Sequence, residues 1–531
     1  MTISVDRHVW VPMPDGIRLA TDVFRPSGGG RCPVVLLRTP YDRGQAAAFG
    51  LQINALRLAE AGYAVVTQDV RGRFASEGVF EPFRSEALDG AASVGWAAEQ
   101  PWSNGIVAMA GMSYGGYAQV LTARERPEAL RAWIPAFCPL DARTEWIYDG
   151  EAFQLAFNLA WSLASLAAQD RRTADPAAVL AALDDWDRTV RRDVGDQPEL
   201  SGTPIGAIYH AWLERRADEA WWLEVSGRGA GEHDAAALVV GGWFDVFHRG
   251  TMSLYAELSA GRASSTHLVL GPWDHSPLPL GSGSGDVEFG SRAIVDLPLL
   301  SLRWLDHVLR DGPSPLERHA RTFVTGANDW FDWDAWPPPA KVDVLYTATG
   351  GRLLREAPAA ATDRFRVDPA DPAPSVGGRV YPRPRQTRSG QLDQDQRSRR
   401  ADVLAFAAAP AAREVLIAGP VRAEVWSAAT VEGTGDVAAT LVDVAPNGRA
   451  LNIAEGVTRR SGLGSDAICF EIELGHVAHV LRPGHRIRLD IAGAAFPRVD
   501  RVPDHGVCER SVLHGEATPS RIFLPIVGGT A

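Results

Sequence analysis

One serine in this chain stands in a setting that suits nucleophilic chemistry. The segment Gly111-Met112-Ser113-Tyr114-Gly115 spells G-x-S-x-G. The apolar run Ile106–Ala110 before it reads as a buried strand, and Gln119-Val120-Leu121 after it reads as the first turns of a helix. Strand, tight turn and helix in this order raise a serine hydroxyl at the tip of a strained turn, ready to attack a carbonyl. The glycines matter because strand and helix can approach closely only where no Cβ intervenes. The chain has 52 glycines, so the pentapeptide alone also fits an ordinary Gly/Ser turn. Its partners decide between the two.

A serine hydroxyl is a poor nucleophile and needs a histidine base that is oriented by an acid. After such a turn the expected chain order is Ser, then Asp or Glu, then His, with the partners on loops at strand ends. The apolar run Ala237–Val240 leads into Gly241-Gly242-Trp243-Phe244-Asp245. The run Thr266–Leu270 leads into Gly271-Pro272-Trp273-Asp274-His275. Each delivers one candidate in the required order, Asp245 as acid and His275 as base. Asp274 is a rival acid, but a residue adjacent to His275 reaches Nδ1 of that ring only with difficulty. His248, His267 and His307 read as structural or surface histidines. An oxyanion hole needs two donors aimed where charge develops. One is the backbone N–H of Tyr114. The loop after Leu36-Leu37-Arg38-Thr39-Pro40 offers a second in the Tyr41 hydroxyl, although a loop tyrosine can equally serve packing.

These residues need a scaffold. A chain of 531 residues exceeds one core, so about two to four domains are expected. Short apolar runs at Val34–Leu37, Ala64–Thr67, Ile106–Ala110 and Trp133-Ile134, with helical spacing over Gln52–Glu60, give the β-α-β rhythm of a parallel sheet. From residue 141 to about 226 strand signals fade. Leu155–Ala168 and Pro176–Val190 read as amphipathic helices, the second opened by Asp175-Pro176 as N-cap and N1. Strand texture returns at Ala237–Val240 and Thr266–Leu270. Beyond Trp336-Pro337-Pro338-Pro339, read as a stiff linker, short alternating segments recur at Val342–Tyr346, Val415–Ile417, Val437–Val442, Phe470–Leu474 and Arg486–Ile491. They predict an all-β sandwich or jelly roll. Arg379–Arg400, polar and basic, reads as a solvated loop.

Composition narrows the partners. The net charge of -12 argues against nucleic acid or an anionic membrane as a main partner. The four cysteines, Cys32, Cys138, Cys469 and Cys508, form no C-x-x-C pair, so neither a disulfide framework nor a metal site is expected. The start MTISVDRHVW lacks the basic-then-apolar pattern of a signal peptide. No run approaches the roughly 18 apolar residues of a membrane span. The expectation is a soluble, cytoplasmic protein.

The strings R-T-P-Y, Q-D-V-R-G-R, Q-P-W-S-N-G, G-M-S-Y-G-G, G-G-W-F-D and G-P-W-D-H-S resemble the cocaine esterase / X-Pro dipeptidyl-peptidase (CocE/NonD) type of serine α/β-hydrolase. D-V-L-A-F, A-F-P-R and P-S-R-I-F-L-P extend the resemblance into the C-terminal half. It implies an α/β-hydrolase core over residues 1–140 and 227–338, a helical cap inserted at 141–226, and a C-terminal jelly roll of galactose-binding-like type over 339–531. It implies Ser113 as nucleophile, His275 as base, Asp245 as orienting acid, and Tyr41 with the Tyr114 amide as oxyanion hole. No cofactor is implied, and a homodimer is compatible with the family.

Family members divide by what they bind. In the α-amino-acid ester hydrolases, acids stand two and three positions after the triad acid and recognise an amine. Here those positions hold Phe247 and His248. Glu145, Asp149 and Glu151 in the cap are the remaining acids for such a role, or else belong to a solvated helix start. Phe247 resembles the apolar pocket lining of cocaine esterase, and Gln52 matches a pocket glutamine by its spacing from Tyr41. Trp146 and Trp161 would complete an aromatic pocket. The expected substrate is a small ester or amide with an uncharged, apolar acyl group. Acyl transfer through the same triad, X-Pro peptide or α-amino-acid ester hydrolysis, and a non-catalytic protein on this scaffold are the competing readings.

Overall fold

The computed structural model describes residues 2–45, 53–169, 175–276, 281–382, 387–502 and 506–528. The first half builds one ten-stranded sheet. Its early strands are β1 (Ile3–Pro12), β2 (Arg18–Pro26), β3 (Cys32–Thr39), β4 (Ala64–Asp69), β5 (Ser103–Met112) and β6 (Leu130–Ala136). A short ribbon, β7 (Tyr148–Asp149) and β8 (Ala152–Phe153), follows outside the sheet. The sheet resumes with β9 (Ala236–Phe244) and β10 (Thr266–Asp274). After the small pair β11 (Gly283–Ser284) and β12 (Val287–Glu288), it closes with β13 (Ala320–Val324) and β14 (Asp329–Trp333).

The order is β1-β2-β4-β3-β5-β6-β9-β10-β13-β14, parallel from β4 through β13 and antiparallel at both ends. A parallel sheet is covered on both faces, which is why β3 and β4 are buried at every residue. Side chains alternate between two cores. Val34, Leu36, Val107 and Met109 enter one, and Val35, Leu37, Ala108 and Ala110 enter the other. This is the parallel sheet that the apolar runs predict and the α/β-hydrolase architecture that the resemblance implies.

The segment after β6 is mostly helical, with two departures from the expected pattern. Leu155–Ala168 is not amphipathic: an α-helix over Leu155–Ala160 passes into π-helical turns over Trp161–Ala167, and nearly every residue is buried. It reads as amphipathic only because Asn158, Ser162 and Ser165 are buried polar residues. Pro176–Val190 is two helices, Pro176–Asp184 and Trp186–Arg191, broken at Asp185. Asp175 does cap the first, accepting the Ala177 N–H.

The C-terminal part is all-β. Its strands are β15 (Lys341–Ala348), β16 (Arg352–Leu354), β17 (Ala361–Val367), β18 (Val403–Ala407), β19 (Val415–Ala429) and β20 (Gly433–Val444). They are followed by β21 (Ala450–Leu463), β22 (Ile468–Leu481), β23 (Arg486–Ala492), β24 (Cys508–His514) and β25 (Arg521–Val527). Long β19 pairs with β22, β24 and β25, so one strand ties the assembly together. The stretch read as a stiff linker is anchored at its start: Trp336 is buried against Trp243 at 5.8 Å and donates to His476 Nδ1 at 3.0 Å. Among the described residues of Arg379–Arg400, a good part is not solvated. Arg379, Ser389, Gln391, Gln394 and Arg397 are buried, and Arg379 bonds Glu455 through its backbone N–H. Polar composition here serves hydrogen bonds inside the protein rather than to water.

Buried charges join the helical segment to the β domain. Arg459 on β21 pairs with Asp436 at 2.7 Å and Asp500 at 2.8 Å. Asp500 in turn accepts the Phe153 N–H at 3.0 Å. Removing the cation from such a cluster strands two carboxylates away from water. Arg459→Met is therefore expected to cost about 3–5 kcal/mol, read as a lower urea midpoint for the β domain together with the helical segment. A change below about 1 kcal/mol would show that the cluster is solvated.

Candidate active site

Ser113 sits where β5 meets the helix Tyr114–Arg124, at φ 58° and ψ −125°. Few side chains tolerate this conformation, and it persists only when its surroundings enforce it. The Ser113 N–H donates to Ala136 O at 2.9 Å, and the Tyr117 N–H to Ser113 O at 2.9 Å. Gln119, buried beneath, donates to Gly115 O at 2.9 Å and accepts the Ile134 N–H at 3.1 Å. The glycines permit the close approach: a Cβ on Gly116 would lie 2.8 Å from both Ala136 O and Cys138 Cβ.

Strand register brings the other two residues together. In the β9–β10 pair, Phe244 lies opposite Asp274, so the next residue on each strand is Asp245 and His275. His275 Nδ1 is 2.5 Å from Asp245 Oδ2, and His275 Nε2 is 2.9 Å from Ser113 Oγ. Asp245 is 0% exposed, and its Oδ1 accepts the Phe247 N–H at 2.7 Å. A carboxylate only accepts, so Nδ1 carries the proton and Nε2 offers its lone pair to the Ser113 hydroxyl. This arrangement can draw a proton from serine. Asp274 points elsewhere and is bonded to Ser389. Of the three structural or surface candidates, His248 is buried, accepts the His476 N–H at 3.1 Å, and is held well below the usual histidine range by that burial. His307 bonds Gly312 O at 2.8 Å, and His267 faces Trp304 at 3.4 Å.

Tyr41 reaches the same serine. Its loop is pinned by Arg43, whose N–H and Nη1 bond Asp69 at 2.7 and 2.5 Å, and by Arg73, which donates to Pro40 O at 3.0 Å. The R-T-P-Y and Q-D-V-R-G-R strings thus meet as one buried clamp. The Tyr41 hydroxyl accepts the Trp161 Nε1–H at 2.9 Å, and the Ser113 side chain is among its neighbours. Burial, reinforced by Tyr381, pushes its pKa upward, so it remains a protonated donor. Tyr114 opens its helix, and its N–H belongs to the first turn, where backbone donors lack helical partners. Its phenol donates to Glu86 at 2.8 Å and accepts the Phe83 N–H at 3.0 Å, while Arg38 holds Glu86 at 2.6 Å.

Aromatic rings surround His275. Phe247 stands edge-on to it at 5.1 Å, and Tyr381 packs at 5.7 Å. Phe157 bridges Phe247 at 5.1 Å and Tyr381 at 5.3 Å, and Trp146 lies 4.4 Å from Phe247 and 4.9 Å from Trp161. Trp146 and Trp161 are deeply buried and form the rear of this cluster. Gln52 lies outside the described residues. Tyr381 escapes sequence reasoning because it is the single aromatic of the polar stretch 379–400, and nothing local marks it.

The three cap acids are committed. Glu145 accepts the Leu140 and Asp141 N–H groups at 2.9 Å each, Asp149 pairs with Arg498 at 2.6 Å and with Arg249, and Glu151 pairs with Arg143 at 2.7 Å. Glu145 and Asp149 are thus interior groups rather than a solvated helix start. Among the described residues, no cluster of His, Cys, Asp or Glu could hold a metal ion. No helix there is long and apolar enough to cross a membrane.

This sheet and turn are those of a serine hydrolase of the α/β type. Residues 15–277 match the model of the X-Pro dipeptidyl-peptidase (S15 family), and residues 314–522 match that of the X-Pro dipeptidyl-peptidase C-terminal non-catalytic domain. A cocaine esterase from Rhodococcus sp. (strain MB1 Bresler) is 31% identical, with 99% of each chain covered. The chain belongs to this cocaine esterase / X-Pro dipeptidyl-peptidase family of hydrolases. The fold is shared with an aminopeptidase from a marine sediment Thaumarchaeota archaeon, at TM-score 0.84 and 24% identity, covering 99% of this chain and 96% of that one. It is also shared with an α-amino acid ester hydrolase, at TM-score 0.82 and 23% identity, covering 99% and 97%.

Gly116→Ala would drive a methyl into Ala136 O and Cys138. It should cost about 1–3 kcal/mol and lower the thermal midpoint by several degrees. An unchanged midpoint would mean that strand and helix are looser than this geometry requires.

Proposed function

We propose that the protein hydrolyses esters, and more slowly amides, whose acyl group is uncharged and apolar. The observation that carries this reading is the Ser113–His275–Asp245 constellation set against aromatic rings, with Asp149 and Glu151 paired to arginines and Glu145 held by two backbone N–H groups. Ser113 Oγ attacks the carbonyl as His275 Nε2 takes its proton, and buried Asp245 stabilises the resulting imidazolium. The Tyr41 hydroxyl and the Tyr114 amide receive the oxyanion. His275 then protonates the leaving group. Water, activated by the same imidazole, releases the acid and restores the serine.

The acyl preference follows from desolvation. An ammonium group placed against Phe247, Phe157 and Tyr381 would lose water without gaining a free carboxylate. His248, neutral by burial, offers no counter-charge. A hydrocarbon or aryl acyl group gains roughly 25 cal/mol for each Å² it buries there.

Three measurements test this. A fluorophosphonate probe should label the wild type and leave Ser113→Ala unlabelled; labelling of the variant would exclude Ser113 as nucleophile. Tyr41→Phe should lower kcat roughly 100- to 1000-fold with little change in KM, as loss of one oxyanion donor does. In a substrate panel, p-nitrophenyl butyrate and benzoate should exceed glycyl or phenylglycyl esters and X-Pro anilides by at least about tenfold in kcat/KM. Preference for the amine-bearing substrates would overturn the assignment of the acyl pocket.

A further inference from the structure

Trp161 does something in this site that its burial alone does not require. Its ring is 2% exposed and stacks between Trp212 at 5.8 Å and Phe83 at 6.0 Å, which another aromatic ring would also do. Its Nε1–H is spent on one polar atom, the Tyr41 hydroxyl oxygen at 2.9 Å. An indole N–H can only donate. The Tyr41 oxygen therefore accepts that bond, and its single O–H is left to point away from Trp161, on the side where Ser113 is its neighbour. The helix changes from α to π geometry at Trp161, a distortion that re-aims side chains and recurs at functional positions.

We propose that Trp161 is a positioning residue whose indole N–H sets the direction of the Tyr41 O–H before substrate arrives. The proposal rests on the reading of Tyr41 as an oxyanion donor. A phenol hydroxyl rotates about its C–O bond, and a donor already aimed needs no reorganisation as charge develops. The bond from Trp161 also polarises the Tyr41 O–H and strengthens what it donates. Trp161 belongs to the inserted helices, whereas Tyr41 belongs to the loop after β3. The oxyanion hole is thus complete only when the insertion is docked on the sheet.

The test is a double-substitution cycle measured with p-nitrophenyl butyrate. Trp161→Phe keeps an aromatic ring and removes the donor. Trp161→3-benzothienylalanine keeps the bicyclic shape as well, which guards against loss of folding. Each should lower kcat/KM roughly three- to tenfold, the worth of one neutral hydrogen bond, with the loss in kcat rather than KM. In a Tyr41→Phe background the same replacements should change kcat/KM by less than about twofold, because their target is gone. Equal fold losses in both backgrounds would overturn the proposal and make Trp161 a packing residue. So would a benzothienylalanine protein with wild-type kcat. A silent Tyr41→Phe single variant would instead remove the oxyanion reading of Tyr41, and this proposal with it, so the two failures are distinguishable.

Discussion

The backbone at Ser113 is the constraint on which the site depends. A non-glycine residue at φ 58° costs of order 1–3 kcal/mol, and the structure holds it there from three sides. Ala136 at the end of β6 takes its N–H, the first helical turn takes its carbonyl, and Gln119 binds strand, turn and helix to one another. Glycines at 115 and 116 remove the side chains that would forbid this approach. Relaxing any of these contacts would let the serine fall back into the sheet plane, away from His275.

The second layer of control is electrostatic and lies out of contact with solvent. Asp245 is fully buried, so its charge must be met by His275 on one oxygen and by a backbone N–H on the other. Arg38 and Glu86 do the same for the phenol of Tyr114, and Arg43, Asp69 and Arg73 for the loop of Tyr41. Farther out, Asp149 with Arg498 and Arg459 with Asp436 and Asp500 fasten the helical segment to the β domain. A broken buried pair leaves a charge without water, so each of these contacts resists rearrangement.

Some of this was legible in the chain. Alternating apolar runs identified β3 to β6, β9 and β10, because strands buried on both faces must be apolar. The G-x-S-x-G turn and the strand-end placement of Asp245 and His275 followed from local composition. The helical segment was read less well. Asn158, Ser162 and Ser165 mimic a polar face, yet all three lie inside the protein. The stretch around Arg379 and Arg397 misleads for the same reason: these arginines look solvent-directed until Glu455 and Asp490 arrive from distant strands.

The sequence by itself therefore determined the class of chemistry and its order along the chain, because a nucleophile turn and strand-end partners are local features. Only the tertiary structure decided which atoms meet. The β9–β10 register sets Asp245 beside His275. The docking of the helical insertion brings Trp161 to Tyr41, and a segment near residue 381 supplies Tyr381 against His275. These contacts join residues 30 to 120 positions apart, and their geometry arises from strand register and packing rather than from any local spacing.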